Sequence, residues 1–194
     1  MGKLGFYFNQ DNCVGCRACQ MACKDRNDLE VGYFFRHVTS FETGAYPRVG
    51  LYHYAATCNH CASPACVVVC PQGAMYIDVG DGTVQHDDTL CIGCQQCAKA
   101  CPYGVPVYIE SQEIVRKCDS CKPLRDAGGN PVCVDACNMR VLEFGDLDEL
   151  AAAHPGEDLV CDLPVLPDSS ATTPSLLVNP RAFALEEDYR DVMV

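Results

Sequence analysis

The chain has 194 residues, a net charge of −12, no tryptophan and 17 cysteines. That length makes one or two small domains; hydrophobic residues reach 48% only with the cysteines counted, so the ordinary core is thin. The acidic balance without a basic stripe excludes nucleic acid as a partner, no run approaches the ~18 apolar residues of a membrane span, and no apolar run of signal-peptide length heads the chain.

In chain order, residues 3–10 carry Phe6, Tyr7 and Phe8 and read as a strand. They lead into Cys13, Cys16, Cys19 and Cys23, spaced C-x₂-C-x₂-C-x₃-C, with a short helix over 20–28. Residues 30–46, broken by Gly32 and Gly44, read as a loop with a strand at 34–41. A strand at 51–57 enters the second group, Cys58, Cys61, Cys66 and Cys70, followed by Pro71. Residues 74–79 and 83–86 pair as a hairpin across Gly80-Asp81-Gly82. The third group is Cys91, Cys94, Cys97 and Cys101, followed by Pro102. A second hairpin, 105–110 with 114–117, leads to Cys118, Cys121, Cys133 and Cys137, with a loop at 128–131 inside that group. A closing strand at 141–144 and an acidic helix at 147–154, ended by Pro155-Gly156, follow. From residue 163 onward Pro164, Pro167, Pro174 and Pro180 with Ser and Thr predict an extended arm that lies on a partner subunit. Charge divides the same way: residues 143–194 carry 12 acids against only Arg181 and Arg190.

The third group, C-x₂-C-x₂-C-x₃-C-P, is the bacterial-ferredoxin run for [4Fe–4S] clusters. Three close thiolates hold one cube and the fourth serves another. Sixteen of the 17 cysteines fall into four such groups, which is enough thiolate for four cubes. An odd count bunched by threes argues against a disulfide framework. Zinc sites pair C-x₂-C knuckles and have no use for the third close cysteine. Cluster ligation is then expected to supply folding free energy, so that the apoprotein does not fold.

Each C-x₃-C step joins two clusters, and four helical residues rise about 6 Å. Paired centres then fall roughly 10–12 Å apart, close enough for a wire; the helical rise is the firm part of that figure. The compact hairpin between groups two and three favours pairing them, with groups one and four enclosing them. Cluster one then takes Cys13, Cys16, Cys19 and Cys137; cluster two Cys23, Cys118, Cys121 and Cys133; cluster three Cys58, Cys61, Cys66 and Cys101; cluster four Cys70, Cys91, Cys94 and Cys97. Spacing alone leaves open the pairing of one with two and three with four. The expected fold class is α+β: an outer ferredoxin-like module (1–47 with 110–145), an inner one (48–109), and an acidic helix and tail (146–194).

Cys13-Val-Gly-Cys16-Arg-Ala-Cys19-Gln-Met-Ala-Cys23-Lys24, Cys58-Asn59-His60-Cys61 before Pro64-Ala65-Cys66, and Cys91-Ile-Gly-Cys94 before Ala100-Cys101-Pro102-Tyr103-Gly104 resemble the iron–sulfur (B) subunit of dimethyl sulfoxide reductase. The resemblance runs from residue 3 to about 150. It implies a non-catalytic electron-transfer subunit with four [4Fe–4S] clusters in the order one to four and the nested pairing. It also implies that cluster one faces a large molybdopterin (molybdenum or tungsten) catalytic subunit, and cluster four a membrane anchor or other quinol-linked partner. Alternatives are a subunit of a formate dehydrogenase, hydrogenase or polysulfide reductase, a free-standing polyferredoxin, and a zinc-binding interaction protein. The compartment stays open, since a partner with a twin-arginine signal would carry this chain across a membrane already folded.

Cys23 is followed by Lys24 and Cys137 by Asn138, without the proline, which predicts less rigid and more exposed fourth ligands for clusters one and two. Nine cations lie within four residues of a ligand cysteine: Arg17, Lys24, Arg26, Lys99, Arg116, Lys117, Lys122, Arg125 and Arg140. They read either as ordinary surface charge or as offsets to cluster charge. His60 reads as a locally packed histidine or as a neighbour of cluster three. Tyr103, Pro106 and Tyr108 are expected to pack over clusters, and Cys161 to be an ordinary thiol.

Overall fold

The computed structural model describes residues 2–192. Strand β1 (Leu4–Asn9) is central to the first sheet. Phe6, Tyr7 and Phe8 are consecutive and all nearly inaccessible, so this strand is covered on both faces. Helix α1 (Ala18–Arg26) follows. Strands β2 (His37–Ala45) and β3 (Arg48–Ala56) form the longest hairpin, paired from His37–Ala56 to Ala45–Arg48 around Tyr46-Pro47. The strand expected at 34–41 therefore starts later and runs past Gly44. Gly44, at φ +77°, adopts the left-handed backbone that closes the turn instead of breaking the strand.

Next come α2 (Ala65–Val68), β4 (Met75–Ile77), β5 (Val84–His86) and α3 (Gln96–Ala100). They are followed by β6 (Val107–Ile109), β7 (Ile114–Arg116), α4 (Lys122–Asp126) and α5 (Val132–Asp135). β4 pairs with β5 and β6 with β7, both antiparallel. Helix α1 packs on α5, and α2 on α3. Strand β8 (Leu142–Asp146) lies antiparallel to β1. Helix α6 (Leu147–Ala153) starts at Asp146, whose carboxylate accepts from the amides of Asp148 and Glu149 at 3.0 and 3.3 Å.

The tail is not the extended arm expected: it pairs with the chain's own strands. Strand β9 (Leu176–Asn179) runs parallel to β1 and completes its sheet. Strand β10 (Arg190–Val192) pairs with β2. Leu163, Leu176, Val178 and Ala184 are buried in the same core as Phe6, Phe8, Val38 and Phe41. The segment is too short of apolar residues to fold alone, but β1 and β2 offer it unpaired edges, and a few well-placed side chains suffice. Further anchors are Tyr7, stacked on His154 at 3.9 Å and donating to Glu157 at 2.7 Å, and Arg181, 2.8 Å from Asp11.

Ordinary apolar residues and cysteines share the interior. One core joins Phe6, Phe41 and Tyr54 to Cys19, Cys133 and Cys137. A second joins Leu29, Phe35 and Ile109 to Cys23, Cys58 and Cys118, and a third joins Met75, Val84 and Val115 to Cys66 and Cys97. Among the described residues, no helix is long and apolar enough to cross a membrane.

Candidate functional site

All four cysteine groups turn in the same way. The residue before the second cysteine has a left-handed backbone in each: Gly15 at φ 67°, His60 at 42°, Gly93 at 65° and Ser120 at 54°. That turn folds C-x₂-C back on itself, so that loop amides can point at the sulfurs. At Gly15 and Gly93 the choice is steric as well. A Cβ on Gly15 would stand 2.6 Å from the His53 ring, and one on Gly93 would stand 2.3 Å from the Glu113 carbonyl oxygen. His60 and Ser120 hold the same strained conformation with a side chain, and both are wholly buried.

The structure brings the sulfurs together from distant parts of the chain. Cys13, Cys16, Cys19 and Cys137 line one cavity. Cys58, Cys61, Cys66 and Cys101 line a second, with Tyr103 and Pro106 in its wall. Cys70, Cys91, Cys94 and Cys97 line a third. Cys23, Cys118, Cys121 and Cys133 stand within electrostatic reach of one another: Cys133 and Cys121 raise the proton affinity of Cys23, and Cys23 that of Cys118. Tyr108 packs beside Cys66 and Cys97. Cys161 is half-buried in the tail, 3.6 Å from the Asp162 carboxylate, and lines none of these cavities.

These pockets are apolar and poorly suited to free thiolates. Burial pushes Cys23 and Cys66 up to about 12, and Cys19 and Cys97 up to about 11. Sulfur clustered in apolar surroundings is the donor set of soft, thiophilic metal centres. Amide donors complete the setting. Ser120 N donates to Cys118 Sγ at 3.3 Å, Val141 N to Cys137 Sγ at 3.3 Å and Met75 N to Cys70 Sγ at 3.5 Å. Such N–H···S contacts stabilise negative charge on sulfur and are a lever on cluster potential.

One expectation is reversed. Cys23 and Cys137, which lack a following proline, are buried at 3% and 6% exposure, whereas Cys70 and Cys101 are only half-buried. The physical reason is position: Cys23 and Cys137 lie in the packed region where α1 meets α5, and there the surrounding core, not a proline, covers the sulfur.

His60 is also more than a local packing residue. Its Nδ1 accepts from Val84 N at 3.1 Å, which leaves the proton on Nε2, and Nε2 lies 4.0 Å from Cys118 Sγ. Burial, with Lys117, Arg125 and Lys3 nearby, pushes the imidazole well below its ordinary value and keeps it neutral. The ring thus spans from the second cysteine group to the fourth. Of the nine flanking cations, Lys117 is buried and donates to the carbonyls of Val84 and Cys118, whereas Arg26, Lys99 and Arg140 are exposed surface charge.

The most telling residue carries no mark in the sequence. Arg36 is 1% exposed, and only its Nη1 finds a partner, the Ala55 carbonyl at 2.7 Å. Its Nε and Nη2 have no acceptor among the described residues. Burial alone would push the guanidinium toward neutrality, but the sulfurs of Cys133, Cys19, Cys118 and Cys23 outweigh that and hold it above its ordinary value. Buried orphan donors within electrostatic reach of cysteine sulfur fit a group that brings further acceptors, as the inorganic sulfides of a [4Fe–4S] cube do. No local signal points to Arg36, because it lies well beyond Cys23 on the approach to β2.

Comparison with known proteins agrees with this chemistry. Residues 49–147 match the family described as 4Fe-4S dicluster domain, and residues 4–25 the family described as 4Fe-4S binding domain. The protein is similar to the B chain of anaerobic dimethyl sulfoxide reductase from Haemophilus influenzae, 37% identical over 193 residues, which is 95% of this chain and 92% of the relative. It is 39% identical to the protein of the same name from Escherichia coli over 188 residues, 93% of this chain and 90% of the relative. The B subunit of sulfite dehydrogenase from Allochromatium vinosum is 35% identical over 170 residues, 77% of this chain and 71% of the relative. With sulfur quartets drawn from four repeated motifs and likeness along nearly its whole length, the chain belongs to the family of iron–sulfur B subunits of the dimethyl sulfoxide reductase type, electron-transport proteins built on 4Fe–4S domains.

Proposed function

We propose that the chain carries four [4Fe–4S] clusters and relays electrons within a larger oxidoreductase. It would work between a molybdopterin catalytic subunit on one side and a quinol-linked membrane subunit or a soluble donor on the other. The observation that carries this reading is the make-up of the cavities: each is lined by three cysteines of one group and the last cysteine of another. That is the ligand exchange of two-cluster ferredoxins. In this reading groups one and four form the outer pair and groups two and three the inner pair. The packing of α1 on α5 and of α2 on α3 supports it.

The clusters would supply one-electron redox chemistry; the chain supplies order, insulation and charge. Support for a linear order comes from the three cores. The first holds cysteines of quartets one and two, the second those of two and three, and the third those of three and four. Consecutive quartets thus share an apolar wall. We assign no catalysis to this chain, and the substrate belongs to the partner. The relatives' names, dimethyl sulfoxide reductase and sulfite dehydrogenase, fit one scaffold serving different partners.

The test is purification from the native host without oxygen. A large molybdenum- or tungsten-containing subunit is expected to co-purify, and dithionite to bleach a brown chromophore in this chain. Recovery of the chain alone, with full iron but no large partner, would favour a free-standing polyferredoxin.

A further inference from the structure

We propose that Arg36 donates from its two unpartnered guanidinium nitrogens, Nε and Nη2, to the sulfur of the second cluster, the one Cys23, Cys118, Cys121 and Cys133 would hold, and that its charge raises that cluster's reduction potential. The inference rests on the four-cluster reading and adds a positioning residue to it.

Arg36 lies just before β2, and among the described residues its only side-chain hydrogen bond goes to the Ala55 carbonyl. Phe6 covers one face of the guanidinium, with Cζ 4.7 Å from the ring centroid. The donors Nε and Nη2 lie in the guanidinium plane, away from that cover, and they have no partner among the described residues. The groups that act on the cation most strongly are the sulfurs of Cys133, Cys19, Cys118 and Cys23. Three of these belong to quartet two and one to quartet one. One residue thus offers quartet two side-chain donors on two nitrogens and a full positive charge.

A buried cation without a carboxylate partner is costly unless another anion compensates it. A four-thiolate cube carries about two negative charges when oxidised and one more when reduced. The cation therefore favours the reduced form. The electron arrives from a neighbouring cluster, and no proton moves on Arg36. Charge and hydrogen bonding to cluster sulfur both shift potential in that direction. The effect falls with distance, so clusters three and four lie outside it.

The experiment compares wild type, Arg36→Lys and Arg36→Gln in the anaerobically purified native complex, with iron counted first. Potentiometric titration followed by electron paramagnetic resonance reads each cluster. Arg36→Gln is expected to lower one midpoint by at least about tenfold in the reduction equilibrium, 59 mV for a one-electron couple, and to leave clusters three and four unmoved. Arg36→Lys keeps the charge and is expected to recover most of that shift. Unchanged midpoints in a fully loaded Arg36→Gln protein would overturn the proposal, and so would an equal shift in all four. Should Arg36→Gln fail to load its clusters, pulsed resonance on wild type labelled with ¹⁵N-arginine decides instead. A nitrogen coupling to a reduced cluster that is lost in Arg36→Lys supports the proposal, and no such coupling in fully loaded protein overturns it. Wild-type iron near eight per chain rather than sixteen would count against the four-cluster reading itself, and the Arg36 measurement would then be read on the clusters present.

Discussion

Asp81 Oδ2 lies 2.8 Å from Arg125 Nη2, with side-chain exposures of 12% and 10%. Asp81 sits in the turn between β4 and β5, and Arg125 in α4, so the pair ties the segment between the second and third cysteine groups to the fourth. Arg125 also donates to the Ser120 carbonyl at 2.9 Å and lies 4.8 Å over the Phe144 ring. Removing one partner strands the other's charge in a nearly dry site. Asp81→Ala is expected to destabilise the cluster-loaded protein by about 2–4 kcal/mol, measured by urea unfolding at pH 7. A change under about 0.5 kcal/mol would show that the pair contributes little.

The same pair gives a pH dependence. Burial pulls the Asp81 carboxyl upward, but hydrogen bonds from Thr83 and the Arg125 charge outweigh it and hold the group well below the usual carboxylate range. A lowered folded value means that the contribution is fully present above the unfolded value near 4 and fades as pH falls through the folded one. Acid unfolding should therefore begin at higher pH in Asp81→Asn than in wild type. Coincident acid transitions would contradict this.

The left-handed turns predict cluster-selective lesions. Gly93→Val places a side chain against the Glu113 carbonyl and Tyr108. Its preparation should lose about four irons per chain, one cube, and keep the rest. His60→Ala removes the acceptor for Val84 N and keeps the strained backbone, and is expected to cost about 1–3 kcal/mol. Full iron and unaltered stability in both variants would refute the role given to these turns.

How much of this the sequence revealed depends on range. Ligand spacing is local, so the four cysteine groups and the two small hairpins are legible from residues a few positions apart. The tail is not. Val178 is wholly buried because it pairs beside Phe8, a contact across most of the chain that no local pattern encodes. Proline and serine content describes how such a segment behaves alone, not which sheet edge awaits it. Arg36 is illegible for a related reason: its neighbours Phe34 and Phe35 and the turn chemistry say nothing of the sulfurs that surround it.

The placement of the tail is testable. Val178→Ala should cost about 2 kcal/mol, from two lost methyl groups and the space they leave. Cys161→Ser should change stability by less than about 0.5 kcal/mol and leave iron content intact. A silent Val178 or an iron-depleted Cys161 variant would mean that the tail has been misread.

The most direct test counts metal and redox centres in the anaerobically purified wild-type protein. About sixteen irons and sixteen acid-labile sulfides per chain are expected, with four centres reducible in turn. Zinc in place of iron, or fewer than three reducible centres, would contradict this expectation.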